Sequence, residues 1–167
     1  MLQPYDTILT EGQDEIIIQR SRFIGYACPV DTEDSASARI ALLRKKYWDA
    51  THHVWAYCLG INGQIQRASD DGEPQGTAGV PVLEIINKEG LTDVLIVVIR
   101  YFGGTKLGTG GLVRAYTQGA KIALAASEVI RRQPYFQYKI QTNYSMLGKY
   151  QREFEKHNYL IQDIQYQ

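Results

Sequence analysis

Cysteine is scarce in this sequence. The 167-residue chain holds two, Cys28 and Cys58, with no CxxC spacing. That excludes a disulfide framework, and both read as buried structural thiols. A net charge is missing as well. Eighteen Lys and Arg offset eighteen Asp and Glu, which excludes a histone-like tail, a polyacidic chaperone and a disordered linker. No apolar run exceeds six residues, the length of Val94–Ile99, so no segment is expected to span a membrane. Residues 1–12 show neither the basic nor the apolar region of a signal peptide. These absences leave a soluble, reduced, cytoplasmic protein as the expectation. What is present, 44% hydrophobic and 22% charged residues, supplies one core and room for a small second unit.

Periodicity orders the elements. Asp14 to Val30 is rich in β-branched and aromatic residues and reads as two strands, or one long strand broken near Ser21. Thr32 opens a helix with Glu33 and Asp34 in its first turn and Arg44, Lys45 and Lys46 in its last, matching both ends of the helix dipole. Its Ala36, Ile40, Leu43 and Tyr47 share one face. Val54–Leu59 and Gln64–Ala68 flank Asn62-Gly63, a hairpin signal in which both turn residues take positive φ. Thr77 is the expected cap of a short helix with Pro81 in its first turns, ending near Gly90. Val94–Ile99 reads as a central strand buried on both faces. A glycine-rich loop follows, then a helix to about Arg131 with Leu112, Tyr116, Ala120, Ala123 and Leu124 facing inward.

Pro134 marks a boundary between residues 1–133 and 134–167. Beyond it a strand alternates Phe136, Tyr138, Ile140 and Thr142, a helix starts with Ser145 as its cap, and a strand runs over 159–166. A β-α-β unit of about thirty residues rarely buries enough surface to stand alone. It needs the first domain, a second chain or the rest of a longer module.

Two glycine-rich segments carry the chemistry. Gly103, Gly104, Gly108, Gly110 and Gly111 fall between a strand and a helix. Glycine lets backbone approach a ligand, and the first amides of a helix lack helical partners, so the segment is a candidate anion site. Between Ile96 and Gln133 six basic residues, Arg100, Lys106, Arg114, Lys121, Arg131 and Arg132, face one acid, Glu128. The spacing fits neither a Walker A loop nor a dinucleotide fingerprint, so a tight structural turn and a protein interface stay open beside anion binding. Tyr101 and Phe102 precede the loop and suit base stacking or core packing. Trp48 and Trp55 read as core or interface anchors. The second segment, Asp70-Asp-Gly-Glu73, lies downstream of His52 and His53. Its carboxylates are either an acidic capping turn, partners of the basic loop, or the raw material of acid–base or metal chemistry.

These segments also resemble a known family. Ser69-Asp-Asp-Gly-Glu-Pro-Gln-Gly-Thr-Ala-Gly-Val-Pro81 and Val98-Ile-Arg-Tyr-Phe-Gly-Gly-Thr-Lys-Leu-Gly-Thr-Gly-Gly-Leu-Val-Arg-Ala-Tyr116 are similar to the hallmark motifs of the YigZ/IMPACT family, as are Asp49-Ala-Thr-His-His53 and Ser21-Arg-Phe-Ile24. The resemblance covers about residues 5–130. It implies an α+β fold: an α/β sandwich like domain 2 of ribosomal protein S5, a mixed sheet with helices packed on it. A ferredoxin-like C-terminal domain usually follows in bacterial members, of which residues 134–167 have room for the first β-α-β only. Eukaryotic members regulate translation through protein partners, and bacterial members have been suggested to bind nucleic acid.

The expectation is therefore a non-enzymatic RNA- or ribosome-binding protein with a translation-related role. Arg100, Lys106 and Arg114 would contact phosphates, with the five glycine amides as donors and Tyr101 or Phe102 stacking. The alternatives are a hydrolase or phosphotransferase using Asp70, Asp71, Glu73 and His52, and an interaction module that pairs or self-associates through the C-terminal unit. No cofactor or resident metal is expected.

Overall fold

Residues 3–166 are described in a computed structural model of the chain. Seven strands and four helices form among them, and the chain divides into two compact units between Pro134 and Tyr135.

The first unit is built on the alternation of one strand. β6 (Val94–Tyr101) is flanked by β3 (Ser21–Pro29) and β4 (His52–Leu59), with β2 (Gly12–Ile18) and β5 (Ile65–Ser69) at the edges, in the order β2-β3-β6-β4-β5. Val94, Ile96 and Val98 point to one face and Leu95, Val97 and Ile99 to the other, all fully buried. The first set packs against α2 (Gly79–Lys88) and α3 (Gly108–Ala125), the second against α1 (Glu33–Lys46). The result is an α+β sandwich, one helix on one side and two on the other. Every neighbouring strand pair in this sheet is antiparallel, which corrects the expected mixed sheet. The chain returns to each neighbour from the opposite end of the sheet.

α3 sits unusually close to the sheet. A Cβ on Gly25 of β3 would run into the Gly119 carbonyl oxygen, and one on Gly12 of β2 into that of Ala123. Backbone here meets backbone with no side chain between, a contact only glycine allows. The inward residues Leu112, Tyr116, Ala120, Ala123 and Leu124 are buried as expected. The helix ends at Ala125, not near Arg131. The Ser127 amide and hydroxyl both bond to the Leu124 carbonyl and close the last turn. The β-branched Val129–Arg132 then forms β7, paired antiparallel with β1 (Tyr5–Ile8).

Two local expectations are revised. Asn62 is not among the residues with positive φ; in that turn Gly60 and Gly63 take the left-handed values, and the Gly63 amide bonds to the Gly60 carbonyl. The two-residue hairpin turn with positive φ at both positions that joins paired strands is Gln19-Arg20, between Ile18 and Ser21. Thr77 does not cap α2, since its hydroxyl bonds to the Pro74 carbonyl. α1 begins as expected, with a reciprocal capping box between Thr32 and Ser35.

The second unit holds α4 (Tyr144–Lys156) and no paired strand among its described residues. The two expected flanking strands are absent: a two-stranded pair is marginal without a face to bury, and Phe136, Tyr138 and Leu160 are exposed. The cap is Asn143, whose side chain accepts from the Met146 amide, and Ser145 lies inside the helix. No described helix is long and apolar enough to cross a membrane.

Candidate functional site

The strand register gathers the two motif segments at one end of the sheet. Arg100 lies opposite Phe23 on β3 and His52 on β4. The loop after β5 runs back over the same end, and the acidic segment closes over Arg100.

Each carboxylate of that segment has an occupation. Asp70 holds the start of α2: one oxygen accepts from the Ala78 and Gly79 amides at 3.0 and 2.8 Å, and the other from Gly76 at 2.8 Å. Asp71 adopts a left-handed φ of 45°. Its carboxylate accepts from the His53 amide at 2.6 Å and pairs with Arg44. Glu73 is buried, and its Oε1 accepts from Arg100 Nη1 at 2.6 Å and from the Tyr116 hydroxyl at 2.7 Å. Burial, then that hydrogen bond to Glu73, pushes the Tyr116 phenol far above its ordinary range.

Arg100 is only 4% exposed. Its second terminal nitrogen donates to Ser21 Oγ at 3.2 Å, and its guanidinium lies 5.4 Å from the ring centres of both Phe23 and Phe102. Glu73, Ser21 and two rings thus enclose a buried guanidinium, where an exposed one was expected. The two histidines are fixed through opposite nitrogens. A carbonyl only accepts, so His52 Nδ1 donates to the Asp71 carbonyl at 2.8 Å and His53 Nε2 to that of Tyr47 at 2.9 Å. His52 Nε2 then faces Glu73 at 3.7 Å. Burial holds the His53 imidazole below its ordinary range, against the opposing pull of the Tyr47 carbonyl.

The basic segment is open by comparison. Tyr101 is half-buried and donates to Asp49 at 2.7 Å, and Phe102 is exposed. Gly103 is spent structurally: its amide donates to Ser21 Oγ at 3.2 Å, and a Cβ would strike the Arg20 backbone. Gly104 and Gly108 take φ of 81° and 71° in open space. Gly108, Gly110 and Gly111 lie within α3 rather than in a loop. The amides of Gly108, Thr109 and Gly110 precede the first intrahelical bond, whereas Gly111 falls past it. No side chain caps this helix and no acid occupies its first turn. Lys106 and Arg114 are exposed beside it. Lys121 is exposed farther along α3, while Arg131 and Arg132 belong to β7.

Residues 19–124 match the Impact N-terminal domain. The chain belongs to the IMPACT family. It is 43% identical to the IMPACT family member YvyE of Bacillus subtilis over 166 residues, covering 99% of this chain and 76% of the relative. It is 40% identical to the IMPACT family member YigZ of Escherichia coli over 132 residues, covering 78% of this chain and 65% of the relative. A crystal structure of a hypothetical protein superposes with a TM-score of 0.77 at 33% identity, covering 100% of this chain and 82% of that one.

Within this IMPACT domain two partners that close the buried site were not among the site residues expected from sequence. Ser21 receives Arg100, and Tyr116 reaches Glu73 from the core face of α3. A signal for Tyr116 was present: a phenol on an apolar helix face needs a buried acceptor. Trp48, expected as a core or interface anchor, is 81% exposed and so lies outside the core.

Proposed function

We propose that this IMPACT-family chain acts in the regulation of translation as a binding protein, taking RNA phosphates at the start of α3. The translational role follows the family resemblance. The observation that carries phosphate binding is the open helix start. Free amides at Gly108, Thr109 and Gly110 face solvent without a capping side chain, between exposed Lys106 and Arg114. Helix dipole and amide donors favour an anion there, and the two flanking cations add charge. Arg100 has no part in the contact, because Glu73 holds it inside. The hydrolase alternative loses its raw material, since Asp70, Asp71 and Glu73 each serve a bond of the fold.

Fluorescence anisotropy with a labelled structured RNA, at low and at physiological salt, tests this reading. Binding is expected to weaken steeply with salt, because phosphate contacts release counterions. Lys106→Ala/Arg114→Ala is expected to remain as stable as wild type, to bind weakly, and to lower the salt slope by about two. Absence of binding by folded wild-type protein overturns the reading.

A further inference from the structure

We infer that the surface running from the start of α3 to Trp48 receives single-stranded RNA, with Trp48 as its base-stacking platform. This rests on the proposed RNA reading and adds to it the form of the RNA and a second contact remote in sequence from the glycine-rich loop.

The strip is continuous. Trp48 follows α1 and precedes Asp49, which accepts the Tyr101 hydroxyl. The Arg22 guanidinium lies 5.9 Å from the Tyr101 ring centre. Thr51, two residues after Asp49, holds the Phe102 amide at 3.0 Å. Phe102 leads into Gly103, which seats on Arg20, and from there to Lys106 and the open helix start. Two large aromatic side chains stand in solvent along this path, Trp48 at 81% and Phe102 at 47% exposure.

Charge selects the partner. Three carboxylates at this end of the sheet are paired with cations, Glu15 with Arg22, Asp71 with Arg44 and Glu73 with Arg100, while Asp49 and Asp70 accept from neutral donors and keep their charge. The exposed Arg20, Lys106 and Arg114 outnumber those two carboxylates, and the local field is positive. A positive strip bearing exposed aromatic faces suits a polyanion with planar groups to stack. A duplex hides its base faces and a single strand offers them.

Trp48 is also held for the purpose. The Tyr47 carbonyl accepts from the Ala50 amide at 3.0 Å and from His53 Nε2 at 2.9 Å. The backbone turn carrying the indole is therefore fixed before any ligand arrives, which lowers the ordering cost of binding.

The test uses intrinsic fluorescence. Trp55 is stacked on Tyr57 with ring centres 5.5 Å apart, and Trp55→Phe leaves Trp48 as the sole indole. The full chain is titrated with an unstructured uridine-rich RNA and with an RNA duplex of matched length. The single strand is expected to quench Trp48 emission and to bind more tightly than the duplex. Trp48→Ala, a surface change checked for folding by circular dichroism, is expected to weaken single-strand binding about tenfold and leave duplex binding unchanged. Equal affinity for both RNAs with unmoved emission overturns the inference while RNA binding stands. Unaltered single-strand binding by Trp48→Ala also overturns it, leaving the indole as a protein contact. If neither RNA binds, the parent reading fails with it.

Discussion

Two helices in this fold start from glycine-rich segments, and they are finished differently. α2 begins at Gly79 under the carboxylate of Asp70, which takes three backbone amides from a position nine residues earlier. α3 begins at Gly108 with no side-chain cap and no acid in its first turn. Both helix starts present donors and the positive end of a dipole. One finds its anion inside the chain, and the other does not. The same division holds for the cations. Arg100 is buried against Glu73, whereas Lys106 and Arg114 stand in solvent. The acidic loop therefore completes the fold, and the basic loop, whose helix start has no anion from the chain, is where the proposed partner would bind.

This contrast predicts where substitution damages the protein. Glu73→Ala removes the counterion of a buried arginine and an acceptor of Tyr116. It should cost about 3–5 kcal/mol, the usual result of leaving a buried charge alone, measured by urea denaturation. A loss below about 1 kcal/mol would mean that solvent reaches Arg100 after all. Asp70→Ala should cost about 1–2 kcal/mol, the range for a lost helix cap, and should leave RNA affinity unchanged. An affinity change there would join the two loops into one site.

The smallest expected effect is a pH dependence. The His53 pKa is lowered by burial from an ordinary 6.5, so below about that pH the unfolded chain binds the proton more readily than the folded one. Stability contributed by His53 is present above that pH and lost as the pH falls. Denaturation midpoints should drop between neutral and mildly acidic pH, and His53→Gln, which keeps a donor for the Tyr47 carbonyl, should flatten that slope. A variant with the wild-type slope would place the sensitivity elsewhere.

Much of the framework was legible because its causes are local. Thr32 with the charges at both ends of α1, the unbroken run of β6 and the inward stripe of α3 all stand as expected. What escaped depends on distant partners. Nothing near Arg100 in sequence shows that Glu73, twenty-seven residues away, will close over it; that follows from the register of β6 between β3 and β4. Charge counting along the chain therefore assigned Arg100 to the surface. The Gln19-Arg20 turn escaped because neither residue signals positive φ, while Asn62-Gly63 carried the signal and used only half of it. The strands expected around α4 have alternating side chains but no ladder to join.

The seating of α3 has a consequence for the speed of recognition. Gly25 and Gly119 bring strand and helix backbones into direct contact, so no side-chain layer lets the helix tilt or slide. On the proposed reading, a phosphate arriving at Gly108 would meet donors already in place, with no search for a competent conformation. Association at this end should be a rigid encounter, its rate set by diffusion and ionic strength, with differences between RNAs appearing in how long each stays bound.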